Sequence, residues 1–237
     1  TIAQADTFFG ANVFVSSYSD KVRVFVMDHY YDGTKGRVRC YASPKTAANF
    51  VLEETWVGYQ ANKNFARTME GWKNSTHEYI AFGYGNLNRI EFKRRELSGN
   101  TWESRGIISA GAKTECFRVR VIDETTAVAA WGGKENIVKC GILRYTTNPP
   151  TYPAYAKSNT KTNWPSNVAI STNGKVIWAS NGSRAGSDNY MYYVDNIADW
   201  DGTVWRDNQY YYNGMMSAAG AALLSVGDHL VTVVNDA

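Results

Sequence analysis

The sequence is short of the residues that announce the commonest chemistries. Among 237 residues there are three histidines, His29, His77 and His229. No two share the short spacing of a zinc-binding helix or hairpin, so a histidine-based zinc site is not expected. Cysteine is as scarce, with Cys40, Cys116 and Cys140 and no Cys-x-x-Cys pair. That count excludes a disulfide framework. Five prolines against 20 glycines exclude collagen and proline-rich linkers. Neither sign of charge dominates: 25 Lys and Arg stand against 22 Asp and Glu, a net charge of +3. Such an excess does not mark a nucleic-acid-binding face, and nucleic acid is not an expected partner. The longest mostly apolar stretch, residues 214–226, contains Ser and Gly and is too short to span a bilayer. The first residues, Thr1-Ile-Ala-Gln, read as no secretory leader, since they carry neither a basic nor an apolar segment. Neither a Gly-x-Ser-x-Gly nucleophile turn nor a Gly-x-x-x-x-Gly-Lys-Ser/Thr phosphate loop occurs. No cofactor or metal is expected. The acidic cluster Asp195, Asp199 and Asp201 reads as a turn, because it lacks the spacing and the final Glu of an EF-hand loop.

What is abundant is aromatic side chain: 16 Tyr, 9 Phe and 8 Trp, 14% of the chain. Hydrophobic residues make up 44% and charged residues 20%, a balance that can bury a core. Tyr and Trp favour strands, and they also make ligand-facing surfaces with an apolar body and a polar tip.

The order in the sequence is a repeat. Residues 21–28 alternate Val22, Val24 and Val26 with Arg23, Phe25 and Met27, the period of a strand. Similar segments recur at 77–84, 126–133, 175–182 and 229–236. A short apolar run precedes each, at 11–18, 66–72, 116–123, 166–173 and 218–226. Tight turns join the two, among them Asn173-Gly174, a pair that tolerates positive φ. A third strand follows four of the pairs, at 36–41, 88–93, 136–141 and 189–194, and a fourth at 51–57, 100–108, 151–156 and 202–210.

Four short strands recurring about every 50 residues predict an all-β fold, a β-propeller of about five blades of four antiparallel strands. The chain reads as one domain, residues 1–237, with blades at about 11–60, 66–110, 116–160, 166–213, and 216–237 together with 1–9. In this reading residues 1–9 supply an outer strand to the last blade and close the ring. Innermost strands are expected to be small and apolar, as in Ala218-Ala-Gly-Ala-Ala-Leu. Cys40 and Cys140 take the same place in the third strand, where Phe92 and Tyr193 stand in other blades, a packing position. Cys116 and Cys140 fall on the first and third strands of one sheet, about 10 Å apart, too far for a bridge. All three thiols are expected to be free and buried.

Two segments carry a resemblance. Residues 177–205 run from a strand through Met191-Tyr-Tyr-Val to Asp199-Trp-Asp-Gly-Thr-Val-Trp205. Residues 79–106 run through Arg89-Ile-Glu-Phe-Lys-Arg-Arg-Glu-Leu-Ser-Gly-Asn-Thr-Trp102. Their order resembles the blades of fungal fucose-binding lectins of the Aleuria type, a family with one blade more than is counted here. The resemblance implies sugar binding between blades. A pyranose stacks its apolar face on Trp or Tyr and offers hydroxyls to Arg, Glu and Asn. The expected ligand residues are Arg89, Glu91 and Trp102 in the second blade, Tyr190, Tyr192 and Trp205 in the fourth, and Arg37, Arg39 and Trp56 in the first. Arg89 and Glu91 share a strand face by the period of two, with Trp102 expected as an aromatic plate beside them.

The expected function is a carbohydrate-binding, lectin-like propeller, more a binder than an enzyme. Its partners would be glycans or glycoproteins, met outside the cell or on a virion surface, and an oligomer would multiply weak sites. Two alternatives stay open. One is a phage or virion receptor-binding or protein-interaction propeller, with the basic strand 89–95 and Tyr210-Tyr-Tyr-Asn213 as its surface. The other is a sialidase-like glycoside hydrolase. Leu97–Trp102 and Asp199–Trp205 resemble the Asp-box of that family but lack its spacing, and its chemistry needs an arginine triad with a Tyr/Glu pair.

Overall fold

In a computed structural model, the described residues are 12–29, 36–57, 66–84, 89–109, 114, 116–133, 137–152, 155–158, 164–171, 177–182, 190–194, 222–226 and 229–233. They form antiparallel sheets and no helix. The first sheet contains β1 (Asn12–Ser16), β2 (Lys21–His29), β3 (Gly36–Pro44) and β4 (Val51–Val57). The second contains β5 (Ala66–Lys73), β6 (His77–Tyr84), β7 (Arg89–Glu96) and β8 (Glu103–Ser109). The third contains β9 (Cys116–Val121), β10 (Thr126–Gly133), β11 (Ile137–Arg144) and β12 (Tyr155–Ser158). The fourth has β13 (Trp164–Ile170), β14 (Ile177–Gly182) and β15 (Tyr190–Val194), and the last β16 (Ala222–Val226) and β17 (His229–Val233). Within each sheet the strands follow chain order. Three strands, β4, β6 and β10, and the start of β2 fall where the periodicity places them. The fourth strand of the second unit begins later than expected, at Glu103, so Trp102 precedes it. In the last unit the described part of the innermost strand is Ala222–Val226. Residues 1–9, Trp205, Tyr210–Tyr212, and Asp195, Asp199 and Asp201 lie outside the described residues.

Successive sheets stack through their two faces, which the period-two alternation keeps distinct. On β6, Tyr79 and Ala81 enter a cluster with the third sheet, while Ile80 and Phe82 enter a cluster with the first. The first-to-second seam contains Phe25, Met27, Val38, Cys40, Met69, Ile80, Phe82 and Trp102. The second-to-third seam is built on Trp72, Phe92, Phe117, Trp131 and Tyr145. Each side chain of this size, fully buried, contributes about 1.5–3 kcal/mol. On β2 the face packed on the second sheet is that of Arg23, Phe25 and Met27, while Val22, Val24 and Val26 on the other face are only half-buried. Phe25 and Met27 are buried instead, and so is Arg23.

The first strands line up with one another: β1 packs on β5, β5 on β9, β9 on β13 and β13 on β16. Close approach at the start of this line requires Gly71. A Cβ there would sit 2.3 Å from the Phe14 ring of β1. Bulges re-aim side chains on two of the outer strands. Glu53 is the extra residue of β4, between the pairs Cys40–Glu54 and Tyr41–Leu52. Arg105 and Gly106 together oppose Phe92 in β8, and Gly106 takes a φ of 88°, a conformation that favours glycine.

Cys40 and Cys140 are free, buried and on third strands, opposite Phe25 and Ala130. Burial pushes both thiols well above the usual range. Cys116 pairs in register with Gly132, not with the partner of Cys140, and its side chain is not described. Among the described residues no helix is long and apolar enough to cross a membrane.

Candidate functional site

Two polar groupings stand out. The first is enclosed in the seam between the first two sheets. Glu91, Lys93 and Arg95 alternate along β7 on the face turned toward the first sheet, continuing the face of Ile80 and Phe82 by register. The expected pairing of Arg89 and Glu91 on one face holds. Arg89 is exposed at the start of the strand, whereas Glu91 is half-buried and lies 3.4 Å from Lys93. The Lys93 ammonium sits over the Trp56 ring at 5.2 Å, and Phe25 stacks on Trp56 at 6.2 Å and 22°. Trp102 is 7% exposed. It meets Phe25 edge-on at 5.5 Å and Trp56 at 5.4 Å, with the Arg95 guanidinium 5.6 Å from its ring.

This corrects one expectation. Trp102 is no open plate beside Arg89, because the first sheet covers the face on which it lies. Trp56 has its ring engaged by Phe25 and Lys93. Of the sequence-derived residues, the structure brings together Trp56, Trp102 and, through Lys93, Glu91. Arg37 and Arg39 lie on the opposite face of β3 from Val38 and Cys40, so they do not join this group, and Arg39 lies 5.8 Å from the Tyr41 ring. Tyr190 and Tyr192 sit on β15 in register with Asn181 and Ala179, their side chains not described.

Below Trp102 the seam becomes ionic. Arg23, Glu78 and Arg95 are each 1% exposed. Arg95 donates to Glu78 at 2.5 Å and to the Gly99 carbonyl at 2.7 Å, and Ser16 donates to the same carboxylate. Arg23 donates to Glu53 at 2.9 Å, and Lys21 reaches Glu53 at 2.9 Å. Burial opposes the Glu53 charge, but the bonds from Lys21 and Arg23 outweigh it and hold the carboxyl below its usual range. Ser19 accepts from Arg23 at 2.8 Å and from Arg95 at 3.1 Å. Buried charges persist when paired and hydrogen-bonded in this way, and the group ties the first two sheets together.

The second grouping lies on the line of first strands. Glu70 of β5 faces Arg118 of β9 at 3.6 Å, too long for a hydrogen bond. Arg118, 39% exposed, donates to its own neighbour's carbonyl, that of Phe117. Arg120 follows two residues later on the same strand face and is half-buried. It has no hydrogen-bond or ion-pair partner among the described residues. Tyr18, just past β1, donates to the Gly71 carbonyl at 3.4 Å and lies in the fields of Glu70, Glu78 and Arg120. Burial pushes the Glu70 carboxyl up to about 7, against the lowering pull of Arg118 and Arg120. Burial also raises Tyr18, helped by Glu70 and Glu78. Here, then, is a carboxyl able to change protonation near neutrality, beside two guanidiniums that nothing described saturates. Perturbed groups of this kind concentrate at functional sites.

Nothing in the repeat singles these residues out as a group. A signal was present: Glu70, Arg118 and Arg120 are charges inside runs assigned to innermost strands, where small apolar residues are expected.

No family model matches the sequence, and no curated protein does. Solved structures do match. A candidate 6-phosphogluconolactonase from Bacteroides fragilis superposes with a TM-score of 0.60 at 11% identity, over 94% of this chain and 74% of its own. An α-L-arabinofuranosidase from Clostridium thermocellum gives 0.51 at 11% identity, over 94% and 81%. The exo-β-1,3-galactanase of Phanerochaete chrysosporium, solved with β-1,3-galactotriose, gives 0.51 at 11% identity over 85% of this chain; the chain spans half the length of that protein. At such identities the likeness is one of fold. The described residues form an all-β fold of the propeller type, with three antiparallel four-stranded sheets among its blades.

Proposed function

We propose that the chain is a carbohydrate-binding propeller whose sugar site lies on the line of first strands, at Glu70, Arg118, Arg120 and Tyr18. The observation that carries this is a pair of guanidiniums, Arg118 and Arg120, that no carboxylate among the described residues neutralises beyond the long contact to Glu70, a carboxyl poised near neutrality. Sugar hydroxyls donate to carboxylates and accept from guanidiniums, so such a set suits a polyol. Several solved propellers of similar fold are named for carbohydrates, the galactanase and the arabinofuranosidase among them, which supports the class of ligand. We further place the blade count at five, with residues 1–9 completing the last blade. In support, Val13 and Val15 are more than half exposed on the face of β1 opposite Phe14, an apolar surface that a fifth blade would cover. A glycan partner fits a protein working outside the cell or on a virion surface.

One observation favours a second reading, a glycoside hydrolase: Glu70 has the proton affinity wanted of a general acid. Two facts favour binding. Hydrolysis needs a second carboxylate about 5–10 Å away, and Glu78, whose field also reaches Tyr18, is locked by Arg95 and Ser16. A sialidase-like nucleophile would need an activated tyrosine, whereas Tyr18 is held in its neutral form.

A glycan array on the purified chain tests the proposal. Retention of a narrow class of sugars is the expected result. Retention of none contradicts it, and turnover of a fluorogenic sialoside would replace binding with hydrolysis.

A further inference from the structure

We propose that the site on the first strands selects acidic sugars, those carrying a carboxylate on the ring, with Arg118 and Arg120 as the pair that receives it. The inference rests on the carbohydrate reading and names the class of sugar within it. Arg118 and Arg120 stand two apart on one strand face, so their Cα atoms are about 6.6 Å apart. Two guanidiniums at that spacing can converge on one carboxylate, the acceptor that fits their planar forks best. Arg120 has no hydrogen-bond or ion-pair partner among the described residues, and Arg118 keeps a long contact to Glu70. Among the described residues, two cations thus face at most one anion. A neutral sugar leaves the surplus uncompensated, and a uronic acid neutralises it.

Glu70 then sets the pH dependence. With its carboxyl pushed up to about 7, it is mostly protonated below that pH and can donate a hydrogen bond to the incoming carboxylate. Above it, Glu70 is an anion and competes for the same guanidiniums. Among the described residues, the other titratable groups near the site are Tyr18, which stays neutral throughout, and Glu78, whose field reaches Tyr18 and which is bonded to Arg95. Binding of an acidic sugar should therefore weaken as pH rises through neutrality, the direction set by a proton that the bound state retains.

Calorimetry with methyl glucuronoside, methyl glucoside and sodium acetate tests this on the intact chain. At about pH 6 the glucuronoside should bind about tenfold or more tighter than the glucoside, and acetate more weakly than the glucuronoside. Arg120→Gln should remove most of that preference with an unchanged melting temperature, since no described partner is lost. Between about pH 6 and pH 8 wild-type affinity for the glucuronoside should fall, whereas Glu70→Gln should hold the low-pH affinity across the range. Equal binding of glucuronoside and glucoside overturns the acidic class while leaving carbohydrate binding intact. Acetate binding as tightly as the glucuronoside overturns the sugar. Binding of none of the three overturns both proposals.

Discussion

Replacing Glu78 by Ala should cost about 3–5 kcal/mol of stability, because it strands a buried guanidinium. Arg95 is 1% exposed and its best partner is the Glu78 carboxylate at 2.5 Å. Without it Arg95 keeps the Gly99 carbonyl and Ser19, acceptors that carry no charge. Ser16 of β1 loses its acceptor in the same change, so the damage falls on the contact between the first two blades. For a chain of this size the loss corresponds to about 10 °C in melting temperature. The double variant Glu78→Leu with Arg95→Met should recover much of it, since replacing both members of a buried pair removes the desolvation cost along with the attraction. Thermal unfolding followed by circular dichroism reads both. A single variant that melts within a degree or two of the wild type would show that the pair is not enclosed.

Trp102→Ala carries the next largest effect, about 3–5 kcal/mol for a large aromatic removed from a packed seam. The cavity would open against Phe25 and Trp56, and the Arg95 guanidinium would lose the ring beside it. Trp102→Phe should restore part of the loss. Because Trp102 is covered by the first blade, glycan affinity at a temperature where the variant is folded should stay unchanged. A Trp102→Ala protein with native melting and lost glycan binding would falsify this placement and return Trp102 to the ligand surface.

Much of the architecture was legible because a propeller repeats. Strand alternation located β4, β6 and β10 to the residue, and the period of about 50 ordered them into blades. Cys40, Phe92 and Cys140 are buried at matched third-strand positions, as that register implies. What alternation cannot supply is the identity of the covering surface. It placed Arg89 and Glu91 on one face of β7, correctly. It could not show that Lys93 and Arg95 on the same face would be sealed under Trp56 and Trp102. The bulge at Glu53 was equally hidden, since the extra residue changes a side chain's direction without a mark in the pattern. The site itself was missed for a different reason. Glu70 comes from the second blade and Arg118 and Arg120 from the third. Their meeting depends on how β5 packs on β9, which the alternation within a single strand does not encode.

Titration of the best array ligand into two variants, Arg120→Gln and Glu91→Ala, tests most directly whether sugar is held on the first strands. Arg120→Gln is expected to weaken binding by about 1.5–3 kcal/mol, the usual worth of a hydrogen bond to a charged group. Glu91→Ala, which alters the seam between the first two blades, is expected to bind like the wild type. The reverse pattern, affinity lost with Glu91→Ala and kept with Arg120→Gln, would contradict the assignment and move the site to that seam.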